Sequence, residues 1–193
     1  MPRAGLSREA VEKAAVDFVE ANGPEALTMG ALAKELGVRT ASLYNHVESF
    51  EALYEAVARY AIAELVAAEE RSIGGKSERE ALFALAEAYR SFARERKGLH
   101  KVIMHLPSLH NAELSGEAGE IIRPIRRVLE SYGLDDTAQY HWQRILRALV
   151  SGFAAHESAG AFSHFPADVD ESYALAIQCI DDALRRIGGR TDE

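Results

Sequence analysis

Residues 28–47 read TMGALAKELGVRTASLYNHV. Thr28 is a residue type that caps helices, and Leu32, Ala33 and Leu36 follow it at the three and four residue spacing of one helical face. Gly37 then stands where a tight turn needs positive φ without a Cβ clash. Val38 and Leu43 supply the inward side of a second short helix, and Ala33 is small enough to let the two axes cross closely. Helices over about 29–35 and 39–45, joined by a glycine turn, make a helix-turn-helix. Such a unit lays its second helix in the major groove of DNA, with early residues toward base edges and flanks toward phosphates. The outward residues Arg39, Thr40, Ser42, Tyr44, Asn45 and His46 all carry hydrogen-bond donors, and no carboxylate lies between Gly37 and Val47.

That local bias matters because the chain is acidic. Its 193 residues carry 30 acidic against 22 basic side chains, a formal charge of -8, which argues against coating nucleic acid or anionic lipid through bulk charge. Within residues 28–46, Lys34 and Arg39 outnumber Glu35, while most other head carboxylates lie on the preceding helix or beyond Val47. Screening over roughly 8 Å at physiological salt lets a basic reading surface coexist with an acidic back.

Moving outward, nearly every segment has helical periodicity, so the expected fold is all-α. A first helix runs from about Arg8 to Ala21, capped by Ser7, with Leu6 stapled on Val11 and a stripe of Val11, Ala14, Ala15, Phe18 and Val19. Asn22-Gly23-Pro24 ends it. Beyond the helix-turn-helix, a longer helix carries Phe50, Leu53, Tyr54, Val57 and Leu65 and closes at Gly74-Gly75. The next has a capping box, Ser77 with Glu80, and buries Leu82, Leu85, Tyr89 and Phe92 before Gly98. From Leu99 to Gly119 the pattern loosens to a short apolar piece around 102–106, then Pro107 and a polar stretch that forms a loop or a single helical turn. Glu120 to Tyr132 is helical, with Pro124 in the first turn or at a kink and Gly133 at the end. Helices over about 136–159 and 171–187 finish the chain. The expected division is a helix-turn-helix domain over 1–55 and a helical ligand-binding and dimerisation domain over 56–193.

Composition narrows the class. With 48% apolar and 27% charged residues the chain can bury a core without staples, and the lone Cys179 permits neither an internal disulfide nor a cysteine zinc site. No apolar run approaches the ~18 residues that span a bilayer, and Glu9, Glu12 and Asp17 follow soon after the start, so a cytoplasmic protein with no membrane partner is expected. Gly75-Lys76-Ser77 imitates the end of a phosphate loop, but Glu70 stands where the opening glycine belongs. No nucleophile elbow, dinucleotide turn or metalloprotease pair is present; no catalytic residue and no cofactor are expected. His100, His105 and His110 are spaced about 140° apart on a helix and do not share a face, so no metal site is expected either.

Thr28, Leu32-Ala33, Leu36-Gly37-Val38, Ser42-Leu43-Tyr44, His46 and Leu53, after an apolar first helix, resemble the amino-terminal domain of the TetR family of transcriptional regulators over about residues 7–54. That family usually has serine after Gly-Val, phenylalanine after the histidine and a lysine opening the fourth helix. Here those places hold Arg39, Val47 and Phe50, and the combination resembles one branch of the family. The resemblance implies that Arg39, Thr40 and Ala41 face the groove, that Ser42, Tyr44 and His46 hold phosphates, and that Thr28 offers its hydroxyl or helix-end amide to the backbone. Asn45 can reach either, Lys34 joins the DNA-binding set, and Arg3 is in reach of a minor groove unless it is simply solvated.

The stretch from Arg147 through Phe153 to Gly160-Ala161-Phe162 is similar to the body domain of the same branch, with Ser151 where that domain often has histidine. Two long apolar helices near the chain end form too wide a stripe for one core and suggest a four-helix interface with a second copy. Its expected residues are Ile145, Leu149, Gly152, Phe153, Leu175, Cys179 and Leu184. The resemblance further implies a small-molecule effector bound in the body, for which Tyr89, Phe92, Met104, His105, Leu109 and Trp142 are the candidate lining. The expected function is a ligand-responsive regulator, a repressor, binding a palindromic double-stranded DNA operator as a homodimer. The alternative is a helical small-molecule-binding protein that has lost DNA binding, suggested by the net acidity and by Phe50.

Overall fold

Ser7 accepts a hydrogen bond from Ala10 N–H at 3.2 Å and opens helix α1, Arg8–Asn22, so the first turn's orphan donors are met by the expected cap. The structure is a computed structural model and describes residues 6–105, 119–164 and 166–189. Val11, Ala15, Val16 and Val19 form the buried face of α1, whereas Ala14 and Phe18 are half-buried at its margin. Gly23, at φ 83°, ends the helix by donating to Val19 O, and Pro24–Ala26 then form a 3-10 turn that periodicity did not foresee.

Helices α2 (Met29–Leu36) and α3 (Thr40–Leu43) follow, then α4 (Phe50–Ile73), α5 (Glu78–Glu95), α6 (Lys97–His105), α7 (Arg123–Glu130), α8 (Asp136–Ser158) and α9 (Val169–Gly188). No strand occurs among the described residues, and the fold is all-α as expected. The second helix of the helix-turn-helix is shorter than the pattern suggested, because Tyr44 to His46 continue it only as a turn.

Contacts gather the chain into two units, one of Met1–Ala63 with Arg96–Glu117, the other of Glu64–Glu95 with Ala118–Glu193. In the first, Val11, Val19, Leu32, Leu43, Leu53, Val57, Leu99 and Val102 make the core. Helix α6 belongs to it. Gly98 lies so close to α1 that a Cβ there would collide with the Val19 carbonyl, and Arg96 donates to Glu20 at 2.6 Å beside that crossing. Residues 99–105, where the periodicity loosens, are helical because α1 supplies a surface for Leu99, Val102 and Ile103. The polar stretch beyond, expected as a loop or a single helical turn, lies outside the described residues.

In the second unit, α5 packs on α7, α8 and α9 around Leu82, Leu85, Leu129, Leu146, Val150, Ile177 and Leu184. The expected capping box at Ser77 is replaced by a distant partner. Ser131 Oγ accepts Glu78 N–H at 2.8 Å, and Glu78 itself turns through φ 45° to present it. Pro124 sits in the first turn of α7, and Gly133 turns at φ 69° after it. Asp135 caps α8 through Ala138 N–H at 2.8 Å, and Asp168 caps α9 through Asp170 and Glu171 N–H.

Candidate functional site

Thr28 Oγ1 accepts from Ala31 N–H at 3.0 Å, so the hydroxyl expected to meet DNA also starts α2. Leu32 and Ala33 are buried, and Gly37 adopts the left-handed conformation at φ 65°, ψ 33°. From that turn Gly37 N–H donates to Lys34 O at 3.2 Å and Val38 N–H to Ala33 O at 2.9 Å, the paired bonds of a Schellman ending. The chain leaves it in extended geometry at Arg39, the N-cap of α3, which uses no side-chain cap bond and leaves its guanidinium exposed. Leu43 and Val47 are buried beneath, tied by Val47 N–H donating to Leu43 O at 3.0 Å.

The outward face is consequently Arg39, Thr40, Ala41, Tyr44 and Asn45, all exposed, with Ser42 and His46 half-buried at its margin. Tyr44 is 52% exposed, which decides against a core role for its ring. Thr28 and Lys34 are exposed on α2. Arg3 lies outside the described residues. Phe50, where the family pattern has lysine, is half-buried with its ring centroid 6.1 Å from that of Tyr54.

The fold adds residues to this surface that spacing did not reveal. A hollow of about 280 Å³ brings Tyr44, Asn45 and His46 together with Arg8, Arg59 and Glu12. Glu48 and Glu55 border it as well, and Arg8 donates to Glu12 at 2.7 Å, so a phosphate approaching here competes with carboxylates already present. Arg8 and Arg59 are invisible to a reading of residues 28–47 because they come from α1 and α4.

The expected effector residues divide between the units. Tyr89 and Phe92 are buried on α5 and Trp142 is half-buried on α8, all in the second unit. Met104 and His105 are exposed on α6, in the first unit, and Leu109 lies outside the described residues. Of the three histidines weighed as ligands, His100 is buried, His105 exposed and His110 outside the described residues.

The second unit also holds a charged cluster. Arg90, 2% exposed, donates to both oxygens of Glu157, at 2.7 and 3.0 Å, and pairs with Asp170 at 2.7 Å. Its guanidinium stands 4.6 Å from the Tyr173 ring centroid and 5.4 Å from that of Phe153. Arg94 makes the same two carboxylate contacts from one turn on. Hydrogen bonds from Arg90 hold the Glu157 carboxyl at about 2, against the opposing effect of burial.

The exposed faces of α8 and α9 run alongside this interior. Ile145 is 46% and Leu175 64% exposed, Cys179 is exposed, and Leu149, Gly152 and Phe153 are half-buried. Leu184 must be removed from the expected interface: it is fully buried in the unit's own core, in the inner stripe with Tyr173, Ile177 and Ile180.

Comparison with known proteins decides the family. Residues 82–180, half of the chain, match the family described as tetracyclin repressor-like, C-terminal domain, and residues 13–57 match bacterial regulatory proteins, tetR family. The chain belongs to the TetR family of transcriptional regulators. This TetR-family chain is 31% identical over 166 residues to an uncharacterized HTH-type transcriptional regulator, Rv0681 of Mycobacterium tuberculosis, covering 86% of this chain and 76% of that one. To YobS of Bacillus subtilis, another such regulator, it is 28% identical, covering 92% of each. Among solved structures, apo ActR from Streptomyces coelicolor superposes with TM-score 0.72 at 20% identity, over 97% of this chain and 99% of that one. BioQ with its double-stranded DNA operator superposes with TM-score 0.70 at 21% identity, over 94% and 99%. Among the described residues no helix is long and apolar enough to cross a membrane.

Proposed function

We propose that this TetR-family regulator is a ligand-responsive repressor that acts as a homodimer in the cytoplasm, without catalytic activity, and reads a palindromic operator through residues 28–46. The observation that carries the reading is the outward face of α3 and its following turn, where Arg39, Thr40, Ala41, Tyr44 and Asn45 stand exposed on a frame held by buried Leu32 and Leu43. In this assignment Arg39, Thr40 and Ala41 meet base edges. Ser42, Tyr44, His46, Lys34 and Thr28 meet phosphates, and Asn45 meets either. Arg39, with five donors in a planar fork, suits guanine O6 and N7. The Gly37-Val38-Arg39 and Ser42-Leu43-Tyr44 sequence supports assigning the chain to the branch of the family that its motif resembles. BioQ has been seen with its operator and ActR with actinorhodin, which supports a DNA partner for the head and a small-molecule partner for the body. Of the expected effector contacts, Tyr89, Phe92 and Trp142 belong to the second unit and are the proposed lining there, whereas Met104 and His105 belong to the first unit and Leu109 lies outside the described residues.

Selection of random duplexes at low salt tests this. One site with dyad symmetry should be enriched, and its affinity should fall steeply with added salt as phosphate contacts release counterions. Arg39→Ala with Tyr44→Ala should lower operator affinity by about 100-fold or more while helicity is retained. If no sequence is enriched, the carboxylates of Glu12, Glu48 and Glu55 beside Tyr44 favour the alternative, a helical ligand-binding protein without DNA binding.

A further inference from the structure

Glu69, in the part of α4 that belongs to the second unit, is 1% exposed. Among the described residues its Oε2 is the one buried side-chain oxygen or nitrogen without a hydrogen-bond partner. Elsewhere this unit matches its buried charges generously. Arg90 has Glu157 and Asp170, and Asp181 receives Tyr132 Oη at 2.7 Å, Arg79 at 3.0 Å and Arg185 at 3.1 Å. Leu65, Val66 and Ile73, which share the face of α4 with Glu69, are buried and apolar. A carboxyl here weakens packing relative to an apolar side chain of similar volume, so a purely structural role does not account for it.

We propose that Glu69 is the recognition residue of the effector site, and that its unpaired oxygen accepts a hydrogen bond from a protonated nitrogen on an otherwise apolar effector. The inference rests on the reading of the second unit as the effector-binding part. It also accounts for Tyr89, which sequence alone pointed to as an effector contact and which lies within the electrostatic reach of Glu69. The charges facing Glu69 are Arg147 on α8, which favours the carboxylate, and the adjacent Glu70, which opposes it and is itself paired with Arg123 and Arg127. Burial outweighs both and pushes the Glu69 carboxyl up to about 8. Arg147 alone therefore does not offset the burial of the carboxylate, and a neutral hydroxyl on the effector would add no positive charge to help it.

Glu69 is then a carboxylic acid at neutral pH. Binding an ammonium group selects the carboxylate and releases that proton to solvent, with no covalent bond made or broken elsewhere. Affinity for an amine rises with pH until about 8 and is level until the amine deprotonates near roughly pH 10.

Calorimetric titration of the full chain with octylamine and 1-naphthylmethylamine, each beside its isosteric alcohol and carboxylic acid, tests the proposal in buffers of different ionisation enthalpy at pH 7. At least one amine should bind about tenfold or more tighter than its alcohol and acid. Its binding should release close to one proton, and Glu69→Gln should remove both the preference and the release. Glu69→Met should unfold at or above the wild-type temperature, whereas a structural role for the carboxyl would lower it. Absence of amine binding, equal binding of amine and alcohol, or a preference that survives Glu69→Gln would overturn the proposal. Failure of the wild-type protein to select DNA would instead overturn the regulator reading, whatever the amine titration gives.

Discussion

Glu157, paired with the buried Arg90, and the unpaired Glu69 are two carboxyl groups in opposite circumstances, and the difference makes stability depend on pH in opposite senses. Glu157, bonded to Arg90 and Arg94, is held at about 2 against an ordinary 4.5. A carboxylate depressed in the folded state contributes stability in full above its unfolded value, and loses it as pH falls through 4.5 toward 2. Glu69 is raised, so the folded chain binds its proton more tightly than the unfolded chain does. Its contribution is present below 4.5 and is lost as pH rises toward about 8. Thermal unfolding followed from pH 3 to 8 should therefore show a rising limb at the acid end and a falling component above it. Glu157→Gln should flatten the acid limb, and Glu69→Gln the component above pH 4.5. If the acid limb of Glu157→Gln matched that of wild type, the Arg90 pair would not be the source of acid stability.

The helices themselves test how close approach is built into the head. At Gly98 in α6 an added Cβ would collide with the Val19 carbonyl of α1, backbone that cannot swing aside. At Gly30 in α2 a Cβ would meet nothing within 4 Å. Gly98→Ala should destabilise by about 1–3 kcal/mol through overpacking, and Gly30→Ala should stabilise by about 0.5–1 kcal/mol through helix propensity, as read in thermal or urea unfolding. The same contrast explains what could be read in advance. Ser7 and Thr28 were legible as caps because each receives an N–H three residues along the chain. The turn at Gly37 was legible for the same local reason. Helix α6 and the Ser131 bond at the start of α5 were not, since each depends on a partner far away in sequence. The exposed face over residues 39–45 was largely legible because it lies in one continuous segment, whereas Arg8 and Arg59 join the hollow beside Tyr44 only through tertiary packing. Glu69 was hidden within the polar pair Glu69-Glu70, which resembles a solvated face until the helix's rotation buries the first and exposes the second to Arg123 and Arg127. In α9, Leu175 and Leu184 look alike as sequence. Rotation alone assigns Leu184 to the core with Ile177 and Ile180, and leaves Leu175 and Cys179 outside.

At the scale of the whole molecule, that outer face is the reason to expect two copies. Ile145 and Leu175 expose 46% and 64% of their surface on α8 and α9, and Gly152 has open space where a side chain would be. A monomer would leave these residues in water, while a two-fold pairing of both helices would bury them against their own symmetry mates. Sedimentation should return twice 21.2 kDa at micromolar concentration. Ile145→Asp with Leu175→Asp should give a folded monomer, because neither side chain supports the core and each aspartate would face its copy across the interface. Loss of the dimer bears directly on DNA. With two heads linked, the second half-site is bound at an effective concentration near millimolar, far above that of free protein, so separating the heads should weaken operator binding by about 100-fold or more with every base contact intact. Restoring affinity at high protein concentration would distinguish that loss from damage to the reading surface, which concentration does not repair. A wild-type chain that sediments as a monomer, or a monomeric variant that binds the full operator as tightly as wild type, would refute the two-headed arrangement.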